Sequence, residues 1–341
     1  MERKKPVRPE IRRMSKLELH LHFEGTAEPE LIGQILSRRE GAAAEDIARL
    51  YEFSDFSGFL QAYRRVNEAL REPGDFYRLA QSLARRLESQ KIIYAELTFT
   101  PLLHTRLGLD HDEVIRSILE GLGYPGKREG GAEVAFIYDT VRQWGAEAAR
   151  DTLALALADR AAGLPVVGFG VGGDELSLPA RELEEAFSLA ASRGLKNFVH
   201  AGEVGGPESV WEAIDILRAD RIGHGIAAAR DPLLMKELAR RGIALDICLT
   251  SNVMTGAVKS LAVHPWRKLA AEDVPITLGS DDPGFFGAWL EDELELAIRI
   301  WGLSPEEIGA LMSAAPQYCF LEAEGKKRLT RRLAGETGKI A

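Results

Sequence analysis

Hydrophobic and polar positions along this chain follow two distinct periods. In KLELHLH, residues 16–22, Leu17, Leu19 and Leu21 alternate with Glu18, His20 and His22. A period of two predicts a β-strand with both imidazoles on one face. Seven more apolar, β-branched runs follow: KIIYAELTFT (91–100), VAFIYDTV (134–141), LPVVGFGVGG (164–173), KNFVHAGE (196–203), DRIGHGI (220–226), IALDICLTSN (243–252) and VPITLGSDDP (274–283). Between them lie Ala-, Leu-, Glu- and Arg-rich segments such as AEAARDTLALALADRAAG and PARELEEAFSLAASRG, with helical spacing and Gly or Pro punctuation. Eight alternations of strand and helix predict an α/β fold, a (β/α)8 TIM-type barrel. A doubly wound open sheet is the alternative, but no dinucleotide fingerprint follows the first strand. One connection is too long for a simple crossover. Residues 27–91 hold several helices and read as a helical cap on the barrel mouth. No repeat, low-complexity tract or linker interrupts the pattern, so residues 1–341 read as a single domain.

Composition narrows the class. An apolar fraction of 45% and a charged fraction of 28% are those of an ordinary globular protein with material for a large core. A net charge of −9 argues against a nucleic-acid groove, which needs Lys and Arg against phosphates. The basic start MERKKPVRPEIRR lacks an apolar segment behind it, so it is no secretory signal, and residues 1–14 read as a flexible tail. No apolar run reaches the roughly eighteen residues of a membrane span. Two isolated cysteines, Cys248 and Cys319, suggest a reducing compartment without a disulfide framework. The expectation is a cytoplasmic protein acting on a small molecule, with its oligomeric state left open.

Active sites of β/α barrels lie at the carboxyl ends of the strands. His20 and His22 end the first strand, His200 the fifth and His224 the sixth, while Asp281 and Asp282 close the eighth. His104, His111 and His264 fall in predicted loops and helices and read as surface residues. Two roles compete for the strand-end set, a hydrogen-bonded polar core or a metal site. Imidazoles with a carboxylate suit a borderline-soft divalent cation, most often zinc. A catalytic zinc keeps a position open to water and lowers its pKa. Glu203, three residues after His200, and His224 are then placed to carry protons. In the cap, Phe56, Phe59, Leu60 and Tyr63 recur at helical spacing, either as a packing stripe or as a pocket wall.

Taken in order, ELHLHFEG, HAGEVGGPESV, RIGHGI, LTSNVMTGAV and SDDP resemble the adenosine and adenine deaminases of the amidohydrolase superfamily, over about residues 16–320. The H-x-E and P-C-x-x-C signature of cytidine-type deaminases is absent. The resemblance implies that His20, His22, His200 and Asp281 hold one Zn2+. It implies that Glu203 protonates purine N1, that His224 and Asp281 orient and deprotonate water, that Asp282 binds N7 and that the Gly173 amide binds N3. It also implies a cap helix lining the pocket over the sugar. Glu24 stands where adenosine deaminases carry a shorter Asp that bonds the ribose 5′-hydroxyl, while adenine deaminases commonly have Glu. LTSNVMTGAVKSL resembles the nucleoside enzymes. The expected reaction is zinc-dependent deamination of a 6-aminopurine nucleoside, adenosine or a 5′-modified adenosine such as aminodeoxyfutalosine, with adenine deaminase as the alternative. An ester- or lactone-cleaving relative with a lysine bridging two metals is disfavoured, because the fourth strand has no lysine. A catalytically silent purine-binding protein would be expected to lack the acid or a ligand, and the set is complete.

Overall fold

A computed structural model describes residues 6–124 and 131–337. Eight parallel strands follow one another around a single sheet: β1 Lys16–His22, β2 Ile92–Phe99, β3 Glu133–Val141, β4 Val166–Gly172, β5 Lys196–Ala201, β6 Arg221–His224, β7 Ala244–Ile247 and β8 Ile276–Leu278. The residues after β8 return to β1. His22 N donates to Asp281 O and Asp281 N to His20 O, both at 2.9 Å. This is the (β/α)8 barrel the alternation predicts.

The alternation in β1 separates two buried surfaces rather than core from solvent. Leu17 and Leu19 pack outward on Ala315, Cys319 and Leu329. Glu18, His20 and His22 lie on the opposite, inner face. Polar groups inside a barrel need partners, and the chain supplies them. Ser280 Oγ donates to Glu18 Oε2 at 2.8 Å. Fully buried Arg221 pairs with Glu96 and Asp246, each at 2.7 Å, and donates to Leu19 O and Tyr318 O. This inner layer ties β1, β2, β6 and β7 to one another beneath the site.

The seventh run is shorter than its apolar pattern. β7 stops at Ile247, and Leu249–Met254 is a short helix. Buried Glu293 favours that ending, because its carboxylate accepts from the amides of Leu249 and Thr250 at 2.8 and 3.2 Å. The expected N-terminal tail also differs. Pro9–Arg13 forms helix α1, with Ile11 fully buried and Arg8 paired to Glu295 at 3.1 Å. One apolar residue within a basic segment anchors it; residues 1–5 lie outside the described residues.

The long insertion holds four helices: α2 Pro29–Glu40, α3 Ala44–Leu50, α4 Phe56–Asn67 and α5 Pro73–Ser89. Asp55 caps α4 by accepting from Gly58 N at 2.7 Å. Phe59 and Tyr63 of α4 pack on Phe285 and Phe286, beyond β8, with ring centroids 5.1–5.7 Å apart. That contact fastens α4 over the strand ends. α5 packs instead on the helix His111–Leu122 and on β2, as an ordinary outer helix of the barrel. Among the described residues, no helix is long and apolar enough to cross a membrane.

Candidate metal centre and active site

Donor atoms from three parts of the barrel converge above the inner layer. His20 Nε2 and His22 Nε2 lie 3.1 and 3.2 Å from His200 Nε2, and each lies 3.3 Å from Asp281 Oδ1. Zinc bonds of about 2.0–2.1 Å at tetrahedral angles place neighbouring donors roughly 3.3 Å apart. The donor set therefore fits a single small divalent cation. Imidazole nitrogens this close otherwise oppose their lone pairs. His200 Nδ1 donates to Val171 O at 3.0 Å, which turns its Nε2 lone pair to the centre. Burial pushes His20 down to about 4 and His200 well below the usual range, favouring the neutral forms that bind metals. Burial lowers His22 too, but Asp282, Asp281 and Asp139 outweigh it and raise the ring to about 10. Burial opposes ionisation of Asp281, yet the histidines around it hold its carboxylate well below the ordinary range. His224 and Asp281 both have left-handed backbones, with φ of 63° and 60°. Non-glycine residues adopt this conformation at a cost of roughly 1–3 kcal/mol and cluster at functional sites.

Glu203 follows β5, and its side chain is 8% exposed. Burial and the nearby Asp281 raise its carboxyl, with His224 opposing. Thr255 Oγ1 lies 3.0 Å from Glu203 Oε1 and 2.9 Å from Ser251 O. A hydroxyl has one proton, so Thr255 donates either to the Glu203 carboxylate, where it opposes the rise, or to the Ser251 carbonyl, but not to both at once. A second carboxylate shapes this loop. Glu175 accepts from the amides of Gly202, Glu203, Val204 and Gly205 and from Ser209 Oγ. Four consecutive amides gathered on one carboxylate define the path from which Glu203 projects.

His224 is oriented by a chain of hydrogen bonds. Trp266 N donates to His264 Nδ1, so the neutral His264 ring carries its proton on Nε2 and donates to Asn252 Oδ1, each at 3.2 Å. Asn252 Nδ2 then donates to His224 Nδ1 at 3.0 Å. His224 thereby turns Nε2–H toward Glu203 Oε2 and Asp281 Oδ2, 3.5 and 3.8 Å away. Burial pushes His264 down to about 4, which keeps it neutral. His264 is thus not a surface residue, contrary to its position in an apparent loop.

The site opens into a cavity of about 650 Å³. Its walls include His22, His200, Glu203, His224, Asp281 and Asp282, and also Phe56, Phe59, Leu60 and Tyr63 of α4. The apolar stripe of α4 both packs and lines. Gly173, with φ of 90°, presents bare backbone to the cavity. Burial and neighbouring Asp281 raise the Asp282 carboxyl well above its ordinary value. Gly25 makes room for it, since a Cβ there would lie 1.9 Å from Asp282 Oδ1. At the outer end Arg106 stacks over Trp144, 4.0 Å from the ring centroid.

Glu24, expected at the sugar, does not line this cavity. Its Oε1 accepts from Thr100 N and meets His104 Nε2, both at 3.0 Å. Oε1 is thus turned to Thr100 and His104, Oε2 has no partner among the described residues, and His104 is buried with Glu24 rather than on the surface. His111 is half-buried and bonds Asp159 at 2.8 Å. Pattern reading missed Asp139, Asn67, Glu175 and Asn252. Asp139 carried a usable signal, a lone carboxylate at the carboxyl end of a barrel strand.

Comparison with known proteins bears on this geometry. The family model "Adenosine deaminase" matches residues 15–335. The aminodeoxyfutalosine deaminase of Streptomyces avermitilis is 36% identical over 324 residues, 94% of this chain and 90% of that protein. The adenine deaminase of Rhizobium leguminosarum is 36% identical over 323 residues, 94% of this chain and 99% of that one. The crystal structure of adenine deaminase from Arthrobacter aurescens superposes with a TM-score of 0.87 at 28% identity, covering 95% and 99% of the two chains. The chain belongs to the adenosine deaminase family of the amidohydrolase superfamily, and so to the purine-deaminating aminohydrolases.

Proposed function

We propose that this protein deaminates a 6-aminopurine nucleoside hydrolytically, with one zinc per chain, and that its preferred substrate is a 5′-extended adenosine of the aminodeoxyfutalosine type. The observation that carries the reading is the donor cluster of His20, His22, His200 and Asp281 beside a largely buried, protonatable Glu203 in one cavity. When bound, zinc supplies the Lewis acidity that makes water a nucleophile at neutral pH. Glu203 donates its proton to N1, which makes C6 a better electrophile. His224 donates Nε2–H to the attacking water and orients it, leaving the ionised Asp281 to accept the water's proton. Asp282 in its protonated form donates to N7, an acceptor, and the Gly173 amide donates to N3. After addition at C6 the proton taken by Asp281 passes to the amino group, which leaves as ammonia, and the C6 hydroxyl proton returns to Glu203, leaving the 6-oxo purine.

Cavity size favours a nucleoside over a free base. A volume of about 650 Å³ lies well inside the range of pockets that enclose ligands of drug size, about 300–1,000 Å³. The withdrawal of Glu24 to His104 removes a carboxylate from the sugar end, and the cavity continues to Arg64, Arg106 and Trp144. Both features leave room for a 5′ substituent. An ammonia-release screen across adenine, adenosine and 5′-modified adenosines tests this. The 5′-extended nucleosides are expected to give the highest kcat/KM, and adenine exceeding every nucleoside by about tenfold would replace this reading with an adenine deaminase.

A further inference from the structure

Besides Asp282 Oδ1, assigned above to purine N7, three buried polar atoms of the cavity wall have no hydrogen-bond partner among the described residues: Asp139 Oδ1, Asn67 Oδ1 and Tyr63 Oη. All three residues line the cavity. Asp139 and Asn67 are 3% and 1% exposed, so bulk solvent does not meet them. Buried polar groups are nearly always paired, and each exception calls for an explanation. Asn67 Nδ2 commits one of its two protons to Tyr63 O at 2.8 Å, which fixes the amide and leaves Oδ1 as an open acceptor. Asp139 is accommodated by two residues that lack side chains. A Cβ at Gly170 would lie 2.7 Å from Asp139 Oδ1, and one at Gly172 would lie 2.9 Å from Oδ2. A strand that gives up two side chains to seat a carboxylate gains nothing in packing from it.

Place follows from the chemistry of the ring, on the reading proposed above. Glu203 and His224 follow or end β5 and β6, whereas Asp139 lies near the end of β3, and α4, fastened to Phe285 and Phe286 after β8, brings Tyr63 and Asn67 to the same cavity. A purine with C6 at the donor cluster and N1 at Glu203 turns its opposite edge, N3 and N9, toward Gly173 at the end of β4. Whatever hangs from N9 then lies over β3 and under α4. We propose that Asp139, Asn67 and Tyr63 form a sugar subsite, in which Asp139 and Asn67 accept from the two hydroxyls of a vicinal diol and Tyr63 donates to a sugar oxygen. The diol brings two donors to two waiting acceptors. Asp139 is then the residue that separates a nucleoside from a free base.

The test compares wild-type protein and D139N, each with its metal content measured, on one good nucleoside substrate, its 2′- and 3′-deoxy analogues, and adenine. Wild type is expected to lose about tenfold or more in kcat/KM when the recognised hydroxyl is missing, because a site built to bond a hydroxyl discriminates strongly against its absence. D139N is expected to shrink that discrimination to about threefold or less, and to lower the nucleoside-to-adenine ratio by about tenfold, at unchanged metal content. A wild type indifferent to both hydroxyls overturns the proposal without any variant. So does a D139N protein whose losses on nucleoside and adenine run in parallel or follow lost metal, which would make Asp139 a support for His22. A wild type that prefers adenine overturns the nucleoside reading itself, and is told apart from these outcomes before the variant is made.

Discussion

Replacing Glu203 by Gln removes one proton and preserves the shape of the side chain, so it isolates the acid step. Metal content is expected to stay at the wild-type level, because Glu203 is not among the converging donors. Turnover is expected to fall by about 10²–10⁴, the usual contribution of a general acid. A loss below about tenfold at full metal content would remove Glu203 from that role. At this scale the strand-end histidines were legible because period-two spacing and barrel geometry point them to one place. His104 and His264 were not, because neither side chain's partner is near it in a periodic pattern. His104 meets Glu24 across 80 residues, and His264 acts through Asn252 from an irregular segment. The HFEG motif points Glu24 to the sugar. Only the position of His104 shows where its longer side chain goes.

Strands were more legible than the segments that join them. All eight apolar runs contain a strand, since a parallel strand buried on both faces leaves a dense apolar signature. Their ends were less legible, as in LTSN, where a distant carboxylate, Glu293, turns a β-like pattern into a helix start. The loop after β5 is the same lesson applied to function. HAGEVGG shows a carboxylate near a histidine but not what aims it, and Glu175 lies 28 residues away from Glu203. Glu175→Gln keeps the length of the side chain and sets an amide against backbone N–H donors. We expect kcat to fall by up to about 10²-fold through misplacement of the acid, with KM less affected and metal retained. Activity partly regained in Glu175→Asp would identify the carboxylate rather than the bulk as what matters. A Glu175→Gln enzyme with wild-type kcat would show that the loop holds its course without it.

Barrel closure sets properties that belong to no single element, and stability against pH is one. Glu293 joins an outer helix to the end of β7, and burial pushes its carboxyl from 4.5 up to about 7, with the Leu249 and Thr250 amides opposing. Between those two values the folded chain keeps a proton that the unfolded chain releases. Its contribution is therefore complete below the lower value and is lost as pH rises through the upper one. The shift is worth on the order of 3 kcal/mol. Glu293→Gln cannot titrate, so its Tm relative to wild type is expected to become steadily more favourable between about pH 5 and pH 8. Thermal melts of both proteins across that window check this, and a Tm difference independent of pH would refute it.

Metal stoichiometry is the other whole-molecule property, because the donors come from β1, β5 and the turn after β8 and meet only in the closed barrel. Among the described residues the close groupings His20, His200, His224 and Asp281, and His22 with Asp281 and Asp282, both draw on Asp281 and overlap the donor set described above, so they compete for one ion rather than add a second. β4, where a bridging lysine would stand, offers Gly170 and Gly172 instead. The third close grouping, His111, Asp112 and Asp159, lies away from the cavity, and its Asp159 oxygen already meets His111 and the Tyr138 hydroxyl. We therefore expect elemental analysis to find one zinc per chain. Chelation should abolish turnover and lower Tm, since a cation bound only by the folded chain stabilises it by mass action. Readdition of one equivalent should restore both together. Two metals per chain, or full turnover after verified removal, would overturn the single-centre reading.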